Sequence, residues 1–167
     1  KLLLRDGSPH LKALDDGLLK LFRYWFNSSF LLLEKIDWST PANVLEKIIE
    51  YEAVHEINSW NNLRARLAPS DRQCFAFFHP LIPEDPLIFV EVALTNEIPT
   101  SIEKVIKINR EEVEYNKINT AVFYSISNCQ DGLAGISFGN FLIKKVAHRL
   151  KQEIPGLNKF VTLSPVP

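Results

Sequence analysis

The sequence predicts an α+β fold in which a helical segment packs beside a mixed, mainly antiparallel sheet. Up to Leu67, apolar residues recur at helical spacing, and from Gln73 onward β-branched and aromatic runs alternate with turn residues. A third observation is the order strand, glycine loop and helix between Thr120 and Glu153. This order places a ligand-sized turn inside the β-rich part of the chain.

The segment before Leu67 predicts two or three helices. The first carries apolar residues at helical spacing, namely Leu11, Leu14, Leu18, Leu19 and Phe22. Thr40 is the predicted N-cap of the second helix and Pro41 its first residue, and a shorter helix is predicted over residues 59–67. Four aromatic residues between the helices are expected to anchor the core: Trp25, Phe26, Phe30 and Trp38.

The remaining chain predicts strands over residues 74–78, 87–94, 121–126 and 159–164. A Pro-rich turn from Pro80 to Pro86 joins the first two as an antiparallel hairpin. Residues 98–114 are charged and predict an excursion with a short helix beginning near residues 99–101. The long helix has Phe138, Leu142, Val146 and Leu150 on one face, and Pro155 and Gly156 are predicted to end it.

The glycine loop predicts an anion-binding turn. Gly132, Gly135 and Gly139 let the backbone approach a ligand, and the helix that follows offers unpaired N–H groups and a positive dipole end. The glycine spacing disfavours a dinucleotide fold, and a P-loop is excluded because no G-K-[ST] follows. An acyl-CoA loop of the GNAT-like acetyltransferases fits better, while a tight connection without a ligand remains the plain alternative.

Composition excludes several classes of protein. A net charge of −1 argues against wholesale binding to nucleic acid or to an anionic membrane. The two cysteines form neither a disulfide framework nor a zinc pattern, and no metal site is expected. The apolar stretches, such as Phe30–Leu33, are far too short to cross a bilayer. The absence of Met and the end of the sequence directly after a core strand predict a piece of a longer protein.

Several blocks closely resemble the malonyl-CoA decarboxylase family, and together they cover nearly the whole chain. The blocks are residues 36–43 (IDWSTPAN), 45–55 (LEKIIEYEAVH), 74–80 (CFAFFHP), 86–95 (PLIFVEVALT), 121–127 (AVFYSIS) and 163–167 (LSPVP). The resemblance implies a lyase that converts malonyl-CoA to acetyl-CoA and CO2 without a cofactor. It also implies that residues 1–67 end an N-terminal helical oligomerisation domain and that residues 68–167 begin a GNAT-like catalytic domain.

The resemblance also implies the site residues. The CoA-binding stretch falls on Ala134, Gly135, Ile136, Ser137, Phe138, Gly139 and Asn140. Some relatives carry Gln at the position of Ala134 and Glu at that of Ser137, so contacts there are expected from the backbone. The family's catalytic serine, the first residue of Ser-Pro-x-Pro, corresponds to Ser164. Its histidine partner has no counterpart among the four histidines of this chain and is expected beyond Pro167.

The implied partners are malonyl-CoA and acetyl-CoA, with a second copy of the chain as an oligomer partner and no nucleic acid or membrane. The expected compartment is the bacterial cytoplasm, or mitochondria or peroxisomes in a eukaryote. Two other functions stay open, a GNAT-type N-acyltransferase and a non-catalytic acyl-CoA-binding or oligomerisation module.

Several further residues fit either a functional role or a structural or solvent-exposed one. Lys144, Lys145 and Arg149 either reach toward CoA phosphates or form a solvated basic face. His55 and His79 are expected to be structural or exposed. Glu91, Asp131 and Cys129 show no visible partner for acid-base or nucleophilic chemistry.

Overall fold

The computed structural model describes residues 8–26, 30–133 and 138–163, which form a five-stranded sheet with helices on both faces. The helices are α1 (Pro9–Trp25), α2 (Ala42–Tyr51), α3 (Trp60–Leu67), α4 (Glu103–Ile106) and α5 (Gly139–Glu153). The strands are β1 (Leu32–Ile36), β2 (Arg72–His79), β3 (Ile82–Thr95), β4 (Thr120–Asn128) and β5 (Lys159–Thr162). None of the described helices is long and apolar enough to cross a membrane.

The strands follow one another across the sheet in the order of the chain. The pairs β1–β2, β2–β3 and β3–β4 are antiparallel, and β4–β5 is parallel. A parallel pair needs a crossover, and α5 supplies it between β4 and β5. The predicted α+β class, the mainly antiparallel sheet and the β2–β3 hairpin are confirmed.

One face of the sheet packs against α5. Leu142, Val146 and Leu150 are wholly buried on the inner side of this helix, as their spacing of four predicts. Phe75 and Phe77, which lie two apart on β2, belong to the same apolar cluster. The helix ends at Glu153, directly before the Pro155-Gly156 pair, so the predicted stop is also confirmed.

The opposite face of the sheet packs against α2 and α3. The alternate β2 residues Cys74, Ala76 and Phe78 lie in a second apolar cluster with buried residues of both helices. Ser59 caps α3, because its hydroxyl accepts a hydrogen bond from the Asn62 N–H at 3.2 Å. The sheet is therefore covered on both sides, which places its middle strands in the driest part of the fold.

The chain before Leu67 is not helical throughout, because Leu32–Ile36 is an edge strand. It pairs antiparallel with β2, from Leu32 opposite Phe78 to Ile36 opposite Cys74. A short apolar run fits a strand as well as a helix, and only the exposed edge of β2 decides between them here. The division of the chain at Leu67 and the oligomerisation role of the first part stay predictions.

Two local predictions are wrong. Trp25, Phe30 and Trp38 are 52%, 55% and 39% exposed, so among the four expected anchors only Phe26 packs against the core. Thr40 is not an N-cap, because its hydroxyl is taken by the Asp37 N–H at 3.0 Å. α2 consequently starts at Ala42, one residue later than expected.

Gly156 is required by a close approach between the α5–β5 turn and the chain before β4. A Cβ at this position would lie 2.9 Å from the carbonyl oxygen of Ile118, a backbone atom that cannot swing aside. We expect Gly156→Ala to lower the free energy of unfolding of the full-length protein by about 1–3 kcal/mol, measured by urea titration.

Gly17→Ala is the matched control, since a Cβ there meets nothing within 4 Å. Gly17 lies inside α1, where alanine should stabilise the helix by about 0.5–1 kcal/mol. Equal stability of Gly156→Ala and the wild type would contradict the close approach.

Candidate functional site

In the described chain, β5 pairs with only the first half of β4. The described pairing joins Thr120–Phe123 to Lys159–Thr162, and the Leu163 N–H then donates to the Phe123 carbonyl at 2.9 Å. Among the described residues, the second half of β4, Tyr124–Asn128, has β3 as its strand neighbour and no pairing with β5. The described pairing of the two parallel strands thus ends at Phe123 and Thr162.

The start of α5 lies over the second half of β4. A Cβ built on Gly139 would lie 4.0 Å from side-chain carbons of Ile126 on β4 and Ile88 on β3. Phe138 is buried just before the helix, and its carbonyl accepts the N–H groups of Phe141 and Leu142. The first N–H groups of a helix of this length suit an anion.

The predicted CoA-binding stretch is only partly described. Phe138, Gly139 and Asn140 lie at the start of α5, whereas Ala134, Gly135, Ile136 and Ser137 lie outside the described residues. Ser164 also lies outside them, but it directly follows Leu163, whose N–H is bonded to β4. The assignments to these residues stay predictions.

β4 carries a bulge at the point where β5 ends. Val92 of β3 lies opposite Phe123 and Glu91 lies opposite Ser125, so Tyr124 is an extra residue. Its carbonyl lies 3.2 Å from Nε2 of His55. A carbonyl only accepts hydrogen bonds, and Nε2 of His55 therefore carries a proton.

Glu52, the residue that follows α2, binds the second half of β4. Its carboxylate accepts hydrogen bonds from the Ser125 hydroxyl at 2.7 and 2.8 Å and from the Ser127 hydroxyl at 3.3 Å. It also accepts the N–H groups of Val54 and His55 at 2.9 and 2.7 Å. One buried carboxylate thus joins the chain after α2 to both serines of β4.

Arg66 links the same region to β3. Its guanidinium donates to Oε2 of Glu91 at 2.9 Å and to the carbonyls of His55 and Glu56 at 2.7 and 3.2 Å. Oε1 of Glu91 has no hydrogen-bond partner among the described residues. Burial raises the pKa of Glu91 to about 7, because the opposing effect of Arg66 is smaller and Glu52 adds to the rise.

The basic residues of α5 have aromatic partners. Lys145 Nζ lies 5.1 Å from the ring centre of Phe141 and 5.8 Å from that of Phe77. The Arg149 guanidinium lies 5.3 Å from the ring centre of Phe75 and donates to Glu153 at 2.8 Å. These contacts favour a structural role for both residues, and contact of Lys144, Lys145 or Arg149 with CoA phosphates stays a prediction.

The other candidate residues have positions that favour a structural role. Nδ1 of His79 accepts the Leu81 N–H at 3.2 Å, and its ring packs on Phe26. Cys129 is buried, which raises its thiol pKa and opposes reactivity. Within the described part of the chain, no group of three or more His, Cys, Asp or Glu side chains is arranged to hold a metal ion.

The buried polar residues were only partly visible in the sequence. A glutamate within the apolar strand Leu87–Leu94 signals a buried, paired charge, but the pattern alone does not name Arg66 as its partner. Glu52 gave no such signal, because it follows a helix with ordinary polar residues.

The arrangement of sheet, loop and crossover helix is that of a GNAT-like acetyltransferase. An aminoglycoside acetyltransferase from an uncultured soil metagenomic sample shares the fold, with a TM-score of 0.54 at 10% identity over 83% of this chain and 80% of that one. At this identity the likeness shows the fold alone.

The chain belongs to the malonyl-CoA decarboxylase family. The profile of the malonyl-CoA decarboxylase C-terminal domain matches residues 29–167. The malonyl-CoA decarboxylase structure from Agrobacterium vitis has a TM-score of 0.91 and 62% identity, covering 94% of this chain and 39% of that one. The mitochondrial malonyl-CoA decarboxylase of the goose Anser anser anser is 43% identical over 97% of this chain. The chain spans 32% of the length of that relative.

Glu91 should make stability depend on pH. Its pKa is raised from 4.5 to about 7, so the native state holds a proton that the unfolded chain releases between these values. The contribution of Glu91 to stability is therefore fully present below pH 4.5 and is lost, by up to about 3 kcal/mol, as the pH rises to about 7. We expect Glu91→Gln in the full-length protein to remove this fall, measured by urea unfolding at pH 5 and pH 8.

Glu50→Gln is the control, since Glu50 lies on the exposed side of α2. It should keep the pH slope of the wild type. The same slope in Glu91→Gln and the wild type would show that Glu91 ionises normally in the folded protein.

Proposed function

We propose that the full-length protein removes CO2 from malonyl-CoA and releases acetyl-CoA. The observation that carries this proposal is the strand β4 followed by α5, whose start lies over Ile126 of β4 and Ile88 of β3, in a chain of this family. The start of this helix offers N–H groups to a phosphate. This feature suits the pyrophosphate of a CoA thioester.

The reaction requires no cofactor, because the substrate contains its own electron sink. The bond between the α-carbon and the carboxylate breaks, CO2 leaves, and the electron pair forms an enolate on the thioester. A proton then binds the α-carbon and gives acetyl-CoA. The protein has to hold the CoA, exclude water from the carboxylate and stabilise the oxyanion, and each hydrogen bond aimed at that oxyanion is worth about 3–4 kcal/mol.

Residues 134–140 are proposed to hold the CoA pyrophosphate through backbone N–H groups. A Cβ at Gly139 would lie 4.0 Å from side-chain carbons of Ile126 and Ile88, so the first turn of α5 lies close to β3 and β4. Ser164 is proposed as the proton donor or hydrogen-bonding group at the reacting end. A neutral serine is too weak an acid to act unaided, so we place its histidine partner in the part of the protein that follows Pro167.

The partner and the compartment are also proposed. The helical segment before Leu67 would join two copies of the chain, and α1 supports this because the structure describes no buried residue in it. The bacterial cytoplasm is our proposed location. The 62% identity to the Agrobacterium vitis protein, against 43% to the mitochondrial goose protein, supports it.

The test incubates the full-length protein with malonyl-CoA, with and without an amine acceptor. We expect acetyl-CoA and CO2 in equal amounts without the amine. Release of free CoA that depends on the amine would instead establish an N-acyltransferase. Binding of acetyl-CoA without turnover of malonyl-CoA would establish a binding module.

Ser164→Ala should lower the turnover of the full-length enzyme far more than its affinity for acetyl-CoA. The reason is that the hydroxyl is proposed to act on the reacting carbon and not on the CoA handle. A loss of about 100-fold or more in kcat with nearly constant affinity is expected, measured by steady-state kinetics and calorimetric titration. Equal losses in both would make Ser164 a residue that only positions the substrate.

Gly139→Val should weaken acetyl-CoA binding by crowding the approach of the ligand to the backbone. A Cβ at Gly139 meets protein atoms no closer than 4.0 Å, so Gly139→Ala should fold normally and show a smaller loss. Gly17→Ala is the matched control, because a Cβ there meets nothing within 4 Å and Gly17 lies in α1, outside the glycine loop. Unchanged affinity in folded Gly139→Val would remove the start of α5 from the site.

A further inference from the structure

We propose that Glu52 and His55 are positioning residues for the acyl-CoA site, which they hold in place through the second half of β4. Both lie in the α2–α3 connection, residues 52–59, and neither is proposed to touch the reacting atoms. The inference rests on the proposed function and adds to it the residues that set the distance between the CoA-binding loop and the reacting end.

Glu52 fixes the strand segment that leads into the loop. The Ser125 and Ser127 hydroxyls that donate to its carboxylate are 2% and 1% exposed, and Glu52 itself is 7% exposed. Hydrogen bonds to a charged group are stronger than neutral ones, and low local polarity strengthens them further. The Ala53 N–H adds a contact to the Ser127 hydroxyl at 3.2 Å. One carboxylate therefore binds both serines of residues 125–127, a segment that β3 also holds by strand pairing.

His55 fixes the bulge that precedes this segment. Its Nε2 bonds the carbonyl of Tyr124, and the preceding carbonyl, that of Phe123, accepts the Leu163 N–H. Leu163 directly precedes Ser164 in the chain. Two consecutive peptide groups of β4 thus meet the α2–α3 connection on one side and the end of β5 on the other.

The α2–α3 connection is itself held firmly. Arg66 donates to the His55 and Glu56 carbonyls with one nitrogen and to Glu91 of β3 with another. Glu52 accepts the Val54 and His55 N–H groups, which sets the turn after α2. A connection with these bonds can transmit the position of β3 to β4, as a positioning device requires.

Loss of Glu52 should therefore act on binding and turnover together. The segment that carries the loop would shift, which weakens CoA binding, and the bulge beside the end of β5 would loosen, which lowers kcat. A misplacement of about 1 Å is sufficient for a loss of about 100-fold in rate. A residue that only stabilises the fold would change neither parameter in protein that remains folded.

The first experiment compares Glu52→Ala, Glu52→Gln and wild type in the full-length protein, at a temperature where circular dichroism shows all to be folded. We expect Glu52→Ala to lower kcat/KM by about 10- to 100-fold and to weaken acetyl-CoA binding several-fold. Glu52→Gln should recover part of both losses, because the amide oxygen still accepts and a serine hydroxyl can accept from the amide nitrogen. Glu50→Ala, on the exposed side of α2, is the matched control and should behave as wild type.

The second experiment tests whether Glu52 acts through β4. Ser125→Ala with Ser127→Ala should reproduce much of the Glu52→Ala loss, and the combined loss should be less than the sum, since both sets of changes remove the bonds between Glu52 and the two serines. His55→Ala should lower kcat, and His55→Gln, which keeps a donor near Nε2, should restore most of it. These variants also decide the proposal if Glu52→Ala does not fold.

Wild-type kcat, KM and acetyl-CoA affinity in folded Glu52→Ala, or additive losses in the combined variant, would overturn the inference. If the proposed function is wrong, the result is different, because the wild-type protein then forms no acetyl-CoA. The acetyl-CoA titrations then still decide on positioning, since they need no turnover. A wild-type protein that does not bind acetyl-CoA would overturn both.

Discussion

β4 pairs with β3 along its whole length, but its described pairing with β5 covers only its first four residues. Buried backbone groups need hydrogen-bond partners. Beyond Phe123, β3 supplies such partners along one side of β4, and His55 bonds the carbonyl of Tyr124 at the bulge. The part of β4 that leads into α5 therefore depends on both β3 and the α2–α3 connection.

Burying polar residues beside β4 has a free-energy cost, and the apolar face around them would be packed without it. Replacing a buried ion pair by apolar residues is often neutral or stabilising, so the Arg66–Glu91 pair is weak evidence for stability. Asp71 shows the contrast. Burial alone would raise its pKa, but two hydrogen bonds from Arg110 at 2.6 Å, the Val113 N–H and nearby Arg72 lower it. Glu91 is paired with Arg66, but the effect of burial on its pKa is larger than that of Arg66, and its pKa rises.

Periodicity predicted the elements whose faces are clearly apolar. The face of α5 and the β2–β3 hairpin follow from spacing alone, whereas the strand β1 is not predicted, because its short apolar run carries no distinct period. Such patterns do not predict the contacts of the candidate site. Glu52 and Ser125 are 73 positions apart in the sequence, and no local rule relates two residues so far apart. The CoA stretch and Ser164 came from the family resemblance, and the structure describes only the last three residues of that stretch.

Decarboxylation makes unequal demands on the two ends of the substrate. The CoA handle tolerates small displacements, because a phosphate at a helix start is held by several N–H groups, whereas the oxyanion at the thioester needs donors at fixed positions. β4 bonds Leu163 through the carbonyl of Phe123 and leads into α5 at its other end. Under our proposal, the buried carboxylate of Glu52, which binds Ser125 and Ser127 between these two points, holds this part of β4 in the fixed position that oxyanion donors require.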